Sequence, residues 1–289
     1  MGLKRGGPRR MRKPWTRLLQ AAAGHIALAA VFLLAAPAAG AGSVDVVHFP
    51  AVTGQSRPLD LLGYLRRPAG DGPFAAVVLL HGCGGDAAGL DRNWGARLQA
   101  WGYVSLTVDS FSPRGIANSC RSGAPAGRGF DAYAALRFLG AHPFVTASRV
   151  ALMGFSEGGL ITLFDVEPRQ GGAAAGTLFH AAVAFYPLCF GSGAVSVPTL
   201  VLNGLLDDWS SVEACRRMVA QQSDIGVTRH KSPSAPLRLI VIPDAYHKFD
   251  DPKFQPGRRY MGHLLAYDPA ALARAADAVH RFLRAQLGT

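Results

Sequence analysis

Three residue types in the second half of the chain could together carry out acyl transfer: a serine, an acid and a histidine, in that order. Gly154-Phe155-Ser156-Glu157-Gly158-Gly159 matches G-x-S-x-G, the pattern of a nucleophile held on a sharp turn between a strand and a helix. A serine hydroxyl is a weak nucleophile and needs a base. Asp207 and Asp208 follow the apolar run 199–203, and His247 follows the apolar run 237–242. In such a site His247 takes the Ser156 proton and later returns it to the leaving group, while an aspartate fixes the imidazole tautomer. Asp207 is preferred to Asp208 for its spacing from Gly204, an analogy with other sites of this order. The plain alternatives are a glycine-rich turn at 154–159 and a surface-loop histidine at 247.

Acyl transfer also needs donors for the negative charge that develops on the carbonyl oxygen. The N–H of the residue after the nucleophile, Glu157, is one candidate. His81-Gly82-Cys83-Gly84-Gly85 follows another buried apolar run, so the Cys83 N–H is the second. The plain reading of 81–85 is a tight turn.

These residues need a scaffold that brings distant segments to one edge. Strands are expected at 44–49, 61–65, 75–80, 103–108, 149–154, 180–186, 199–203 and 237–242, from apolar runs bounded by turn residues. Helices are expected at 93–101, 130–142, 158–164, 211–221 and 269–287, from apolar residues recurring every three or four positions. Residues 111–129, rich in Gly, Ser, Pro and Arg, are expected to form an irregular loop. Strands alternating with helices from residue 75 onward imply an α/β fold with a mostly parallel central sheet and helices on both faces. Ser156, Asp207 and His247 all follow strand C-termini, where open α/β sheets place their sites.

The first 41 residues read as a removable leader, with a retained N-terminal anchor as the competing reading. A basic start is followed by an apolar stretch, Ala21 to Ala36, and then by Ala39-Gly40-Ala41, the layout of a secretory signal peptide. Residues 42–289 are left as one α/β domain. Contact with a membrane is then transient, through the leader, and the mature protein is expected to be exported, periplasmic or secreted. The formal charge of +11 falls to +4 once the seven basic residues before Asp45 are set aside. With no dense basic stripe in the body, a nucleic-acid partner is not indicated.

Export changes how the four cysteines are read. In an oxidising compartment they permit two disulfides. Four cysteines allow three pairings; sequence neighbourhood suggests Cys83–Cys120 and Cys189–Cys215, beside the plain alternative of four free or partly buried thiols. A metal site is not expected, since no C-x-x-C or clustered His accompanies these positions.

Taken together, Leu80 to Gly85, Asp109 to Gly115, Asp131 to Arg137, Gly154 to Gly159, Asn203 to Trp209 and Ala245 to Phe249 resemble the dienelactone hydrolase family, in an exported branch. The resemblance implies an α/β-hydrolase fold, no cofactor, and cleavage of a small ester or lactone through an acyl-enzyme. It maps the triad onto Ser156, Asp207 and His247, and the oxyanion donors onto Cys83 and Glu157. Two departures stand out: Ser156 in place of a cysteine nucleophile, and Gly82 in place of a glutamate. A general carboxylic ester is therefore a safer substrate than dienelactone itself. Arg114 is a candidate to meet a substrate carboxylate, beside the plainer role of a solvated loop arginine. A peptidase of the same fold and a non-catalytic binding protein are the competing functions.

Overall fold

The segment Phe74–Leu80 is apolar at every position and forms strand β3. Ala75, Val77 and Leu79 enter one core, while Ala76, Val78 and Leu80 enter a second on the opposite face. Successive side chains of a strand point to opposite faces, so a continuous apolar run suits a strand covered on both sides. The computed structural model describes Gly2 and residues 43–52, 58–168, 178–220 and 235–288. The expected leader, residues 1–41, lies outside the described residues apart from Gly2.

Eight strands form the main sheet, in the order β1-β2-β4-β3-β5-β6-β7-β8. They are β1 (Val44–Ala51), β2 (Leu59–Arg66), β3, β4 (Val104–Asp109), β5 (Val145–Phe155), β6 (Ala181–Phe185), β7 (Thr199–Gly204) and β8 (Leu237–Ile242). β2 pairs antiparallel with both β1 and β4, and every other neighbouring pair is parallel. After β3 the chain moves outward to β4, then returns to the other side of β3 as β5. The loops leaving β3 and β5 therefore diverge, and a crevice opens at this switch point.

Helices cover both faces. α1 (Ala87–Leu90), a π turn at Asp91–Gly95 and α2 (Ala96–Ala100) make one continuous helical segment. With α6 (Pro269–Leu287) it supplies Trp94, Leu98, Ala275, Val279 and Leu283 to the first core. α3 (Arg128–Gly140) supplies Ala132, Leu136 and Leu139 to the second. α4 (Glu157–Asp165) and α5 (Val212–Val219) complete the cover. The strands and helices expected from sequence all form, with shifted ends. The first helical segment starts at Ala87 rather than at 93, because Asp86 caps it by accepting from the Gly89 N–H. The 111–129 segment contains a 3₁₀ turn at Ser112–Arg114. A small hairpin, β9 (Arg258–Tyr260) with β10 (His263–Leu265), was not anticipated; each arm has only three residues and no alternation to betray it.

Candidate active site

Ser156 sits between β5 and α4 with φ 55° and ψ −115°, a conformation that costs free energy in any residue but glycine. The turn is tight on every side. A Cβ at Gly154 would lie 2.0 Å from the Gly158 carbonyl oxygen, one at Gly158 would lie 2.4 Å from Leu80 O, and one at Gly159 would lie 2.9 Å from Phe185 O. These three glycines let α4 start against β3 and β6 and lift Ser156 above the sheet edge.

Asp207 and His247 follow β7 and β8 and reach the same edge. His247 Nδ1 is 2.8 Å from Asp207 Oδ2, and Nε2 is 3.0 Å from Ser156 Oγ. The other carboxylate oxygen, Asp207 Oδ1, accepts from the N–H groups of Trp209 and Ser210 at 2.9 and 2.8 Å. A carboxylate can only accept, so Nδ1 carries the ring proton and the Nε2 lone pair faces the serine. The imidazole is 2 % exposed. Trp209 stacks on it at 5.2 Å and Tyr186 packs against it at 4.6 Å. Tyr186 in turn donates to Asp250 at 2.6 Å, and Trp94 Nε1 donates to the other oxygen of that carboxylate at 2.7 Å. Burial raises the Tyr186 and Asp250 pKa values, and the Asp250 charge raises that of Tyr186 further. Asp208 points elsewhere: it is half exposed and 3.4 Å from His263 Nδ1.

The space beside Ser156 is a cavity of about 140 Å³, lined in part by Cys83, Cys120, Trp209, His247, Phe254 and Tyr260. Glu157 opens α4, so its N–H has no intrahelical acceptor. Its carboxylate is buried, accepts from Ser119 Oγ at 2.8 Å and pairs with Arg128. Arg128 also donates to the His81 carbonyl. His81 Nδ1 is 2.8 Å from Gly82 O, and Nε2 is 3.3 Å from the Ser110 N–H. The Arg128 guanidinium also lies 3.1 Å from Nδ1. Burial and then the nearby Arg128 charge push the His81 pKa well below the ordinary imidazole value.

The cysteines pair as Cys83–Cys120 and Cys189–Cys215. The first bridge borders the cavity, and the second lies in a separate core cluster with Leu163, Ala184 and Val201. Among the described residues, no group of three or more His, Cys, Asp or Glu is placed to hold a metal. Arg114, a candidate substrate contact or a solvated loop arginine by sequence, is neither solvated nor turned to the cavity. Its guanidinium makes a two-pronged pair with buried Asp131, at 2.8 Å on each arm, and donates to Ser110 O at 2.7 Å. It is used up in fastening the 3₁₀ turn to α3 and does not line the cavity.

Sequence reasoning missed the Arg128–Glu157–Ser119 cluster and the rings around His247. Trp209 could have been found, since it adjoins the two candidate aspartates. Tyr186 and Arg128 carry no such signal, because each reaches the site only through the crossing of distant elements.

No protein-family model and no curated protein matches the sequence. Solved structures do match. A dienelactone hydrolase-like promiscuous phosphotriesterase from metagenomic libraries aligns over 86% of this chain and 100% of its own, at 23% identity and TM-score 0.64. Dienelactone hydrolase from Anabaena variabilis aligns over 86% and 99%, at 19% identity and TM-score 0.60. Thermogutta terrifontis esterase 2, in a structure phosphorylated by paraoxon, aligns over 86% and 95%, at 18% identity and TM-score 0.59. The chain thus has the α/β-hydrolase fold, of the kind found in structures of dienelactone hydrolases.

Proposed function

We propose that this protein is an exported serine hydrolase of the dienelactone hydrolase family, acting on a small carboxylic ester or lactone. The observation that carries the proposal is the hydrogen-bonded chain Asp207–His247–Ser156 at the edge of the sheet beside an open cavity. Ser156 Oγ attacks the substrate carbonyl carbon while His247 Nε2 removes the hydroxyl proton. The imidazolium is stabilised by Asp207, which also holds the reactive tautomer. The carbonyl oxygen, now carrying the negative charge, receives the N–H groups of Cys83 and Glu157. As the intermediate collapses, the bond to the leaving oxygen breaks and His247 returns the proton to it. A water, deprotonated by His247 in turn, attacks the acyl-enzyme and releases the acid and Ser156.

The rings of Trp209 and Tyr186 support this assignment, since they confine the imidazole to one plane while leaving Nε2 toward Ser156. The esterase neighbour phosphorylated by paraoxon suggests a direct probe: paraoxon should phosphorylate Ser156 here with loss of one p-nitrophenolate. Purified residues 42–289 are expected to hydrolyse short p-nitrophenyl esters and to take up one paraoxon equivalent. Ser156→Ala should abolish uptake and cut kcat by at least about a thousandfold. Unchanged turnover in that variant would exclude Ser156 as nucleophile. Faster cleavage of amides than of esters would point to the peptidase instead, and saturable ligand binding without turnover to the binding protein.

A further inference from the structure

Both candidate oxyanion donors are fastened through their own residues to a single segment, 118–128. Cys83 is bonded to Cys120, and its carbonyl accepts the Ser119 N–H at 2.9 Å. Glu157 accepts the Ser119 hydroxyl at 2.8 Å and pairs with Arg128. Ser119 therefore touches both donor residues, one with its backbone and one with its side chain. Arg128 closes the ring by donating to the carbonyl of His81, two residues before Cys83. Ser119 and Arg128 are each 1 % exposed; both stand behind the loop and do not line the cavity.

We propose that segment 118–128 is a positioning clamp for the oxyanion hole, closed by the Cys83–Cys120 disulfide, so that turnover depends on that bridge being oxidised. The inference rests on the hydrolase reading above. Its physical basis is that an oxyanion hole works only if its donors are already in place, within about 2.7–3.1 Å of the developing charge. A loop and a helix start arriving from different strands have no intrinsic reason to hold their N–H groups at a fixed separation. The clamp supplies that separation. A buried ion pair is seldom more stabilising than apolar packing of the same volume, so Arg128 and Glu157 are better explained by geometry and charge than by stability. Arg128 also cancels the carboxylate of the very residue whose N–H must stabilise an anion; unpaired, that charge would oppose the reaction.

The test compares kcat per paraoxon-titrated site, with KM, across variants of residues 42–289. Cys189→Ser/Cys215→Ser keeps only the clamp bridge and should retain the wild-type kcat per titrated site and KM, whatever its loss in Tm. Cys83→Ala/Cys120→Ala retains the Cys83 N–H but opens the clamp. It should lose about ten- to hundredfold in kcat per titrated site, with KM changed less than about threefold. Ser119→Ala should lose kcat in the same way, less severely. Should the double alanine variant fail to fold, reduction of the Cys189→Ser/Cys215→Ser protein replaces it, with circular dichroism to establish a folded chain. Turnover per site should then fall on reduction and return on reoxidation. A kcat per titrated site within about threefold of wild type after opening the bridge would overturn the clamp while leaving the hydrolase assignment intact. A wild type that neither takes up paraoxon nor turns over any ester would instead overturn the hydrolase assignment, and the clamp with it.

Discussion

Asp207 and Asp208 are adjacent in the chain, yet their surroundings assign them different work. Asp207 is buried, with both oxygens engaged by the His247 ring and two backbone donors. Asp208 is solvated near His263. Replacing Asp207 by Asn removes the acceptor that selects the Nδ1–H tautomer, so kcat should fall by about 10⁴. Asp208→Asn should stay within about threefold in ester turnover, since exposed pairs contribute little; the reverse result would exchange their roles. Two other buried groups contribute to pH dependence, with opposite signs. His81 is held neutral by burial and by Arg128. Below the ordinary imidazole pKa of about 6.5 the unfolded chain gains a proton that the folded chain refuses, so this group removes stability as pH falls. Asp165 has one carboxyl oxygen without a partner, and burial, then the Asp131 charge, raise its pKa well above the usual range. The folded chain keeps a proton that the unfolded chain sheds above about pH 4, so here stability declines as pH rises toward the folded pKa. Asp165→Asn should therefore raise Tm at pH 8 and change it little at pH 4. A shift of equal size at both pH values would show that titration of Asp165 is not the cause.

At the scale of elements, the strand β5, the turn at Ser156 and helix α4 form one device whose dimensions are set by glycines. Gly158→Ala places a methyl 2.4 Å from the Leu80 carbonyl oxygen, a backbone atom at the end of strand β3 that cannot swing aside as a flexible side chain would. The expected cost is about 1–3 kcal/mol or more, read as a lower Tm together with lost turnover. Gly84→Ala, with no atom within 4 Å of the added carbon, should leave Tm nearly unchanged. This device was readable from sequence because its signals are local: an apolar run, two glycines around a serine, and a following apolar helix. The buried strands themselves were similarly plain, since β3 and β6 are apolar throughout and β5 and β7 carry the apolar runs 150–153 and 200–202. What escaped notice depends on crossings. The β9–β10 hairpin places Tyr260 in the cavity wall and Leu265 in a parallel bridge with His247, but six short-strand residues carry no periodicity. Arg114 and Arg128 looked alike in a polar loop. Only the approach of α3 gives Arg114 the Asp131 carboxylate and gives Arg128 the Glu157 carboxylate.

For the whole molecule, the two disulfides link local geometry to the compartment in which the chain folds. They span 37 and 26 residues, and closing loops of such length restricts the unfolded chain by roughly 3–4 kcal/mol per bridge. For a domain of this size each kcal/mol moves Tm by about 2–4 °C, so losing one bridge should lower Tm by roughly 6–16 °C. That dependence suits a protein made for an oxidising space and is a burden in a reducing one. The proposed leader, residues 1–41, and the cysteine pairs thus make one joint prediction. Expressed with its own first 41 residues in a bacterium that exports it, the protein should be recovered from the periplasm with Gly42 at its N-terminus and no free thiol. Expressed as residues 42–289 in a reducing cytoplasm, it should carry four free thiols, melt at a lower temperature, and recover the higher Tm after oxidation in air. N-terminal sequencing, thiol titration and thermal melts on the two preparations measure each part separately. An unprocessed N-terminus would remove the leader, whereas equal melting temperatures with and without the bridges would remove the disulfides as a source of stability.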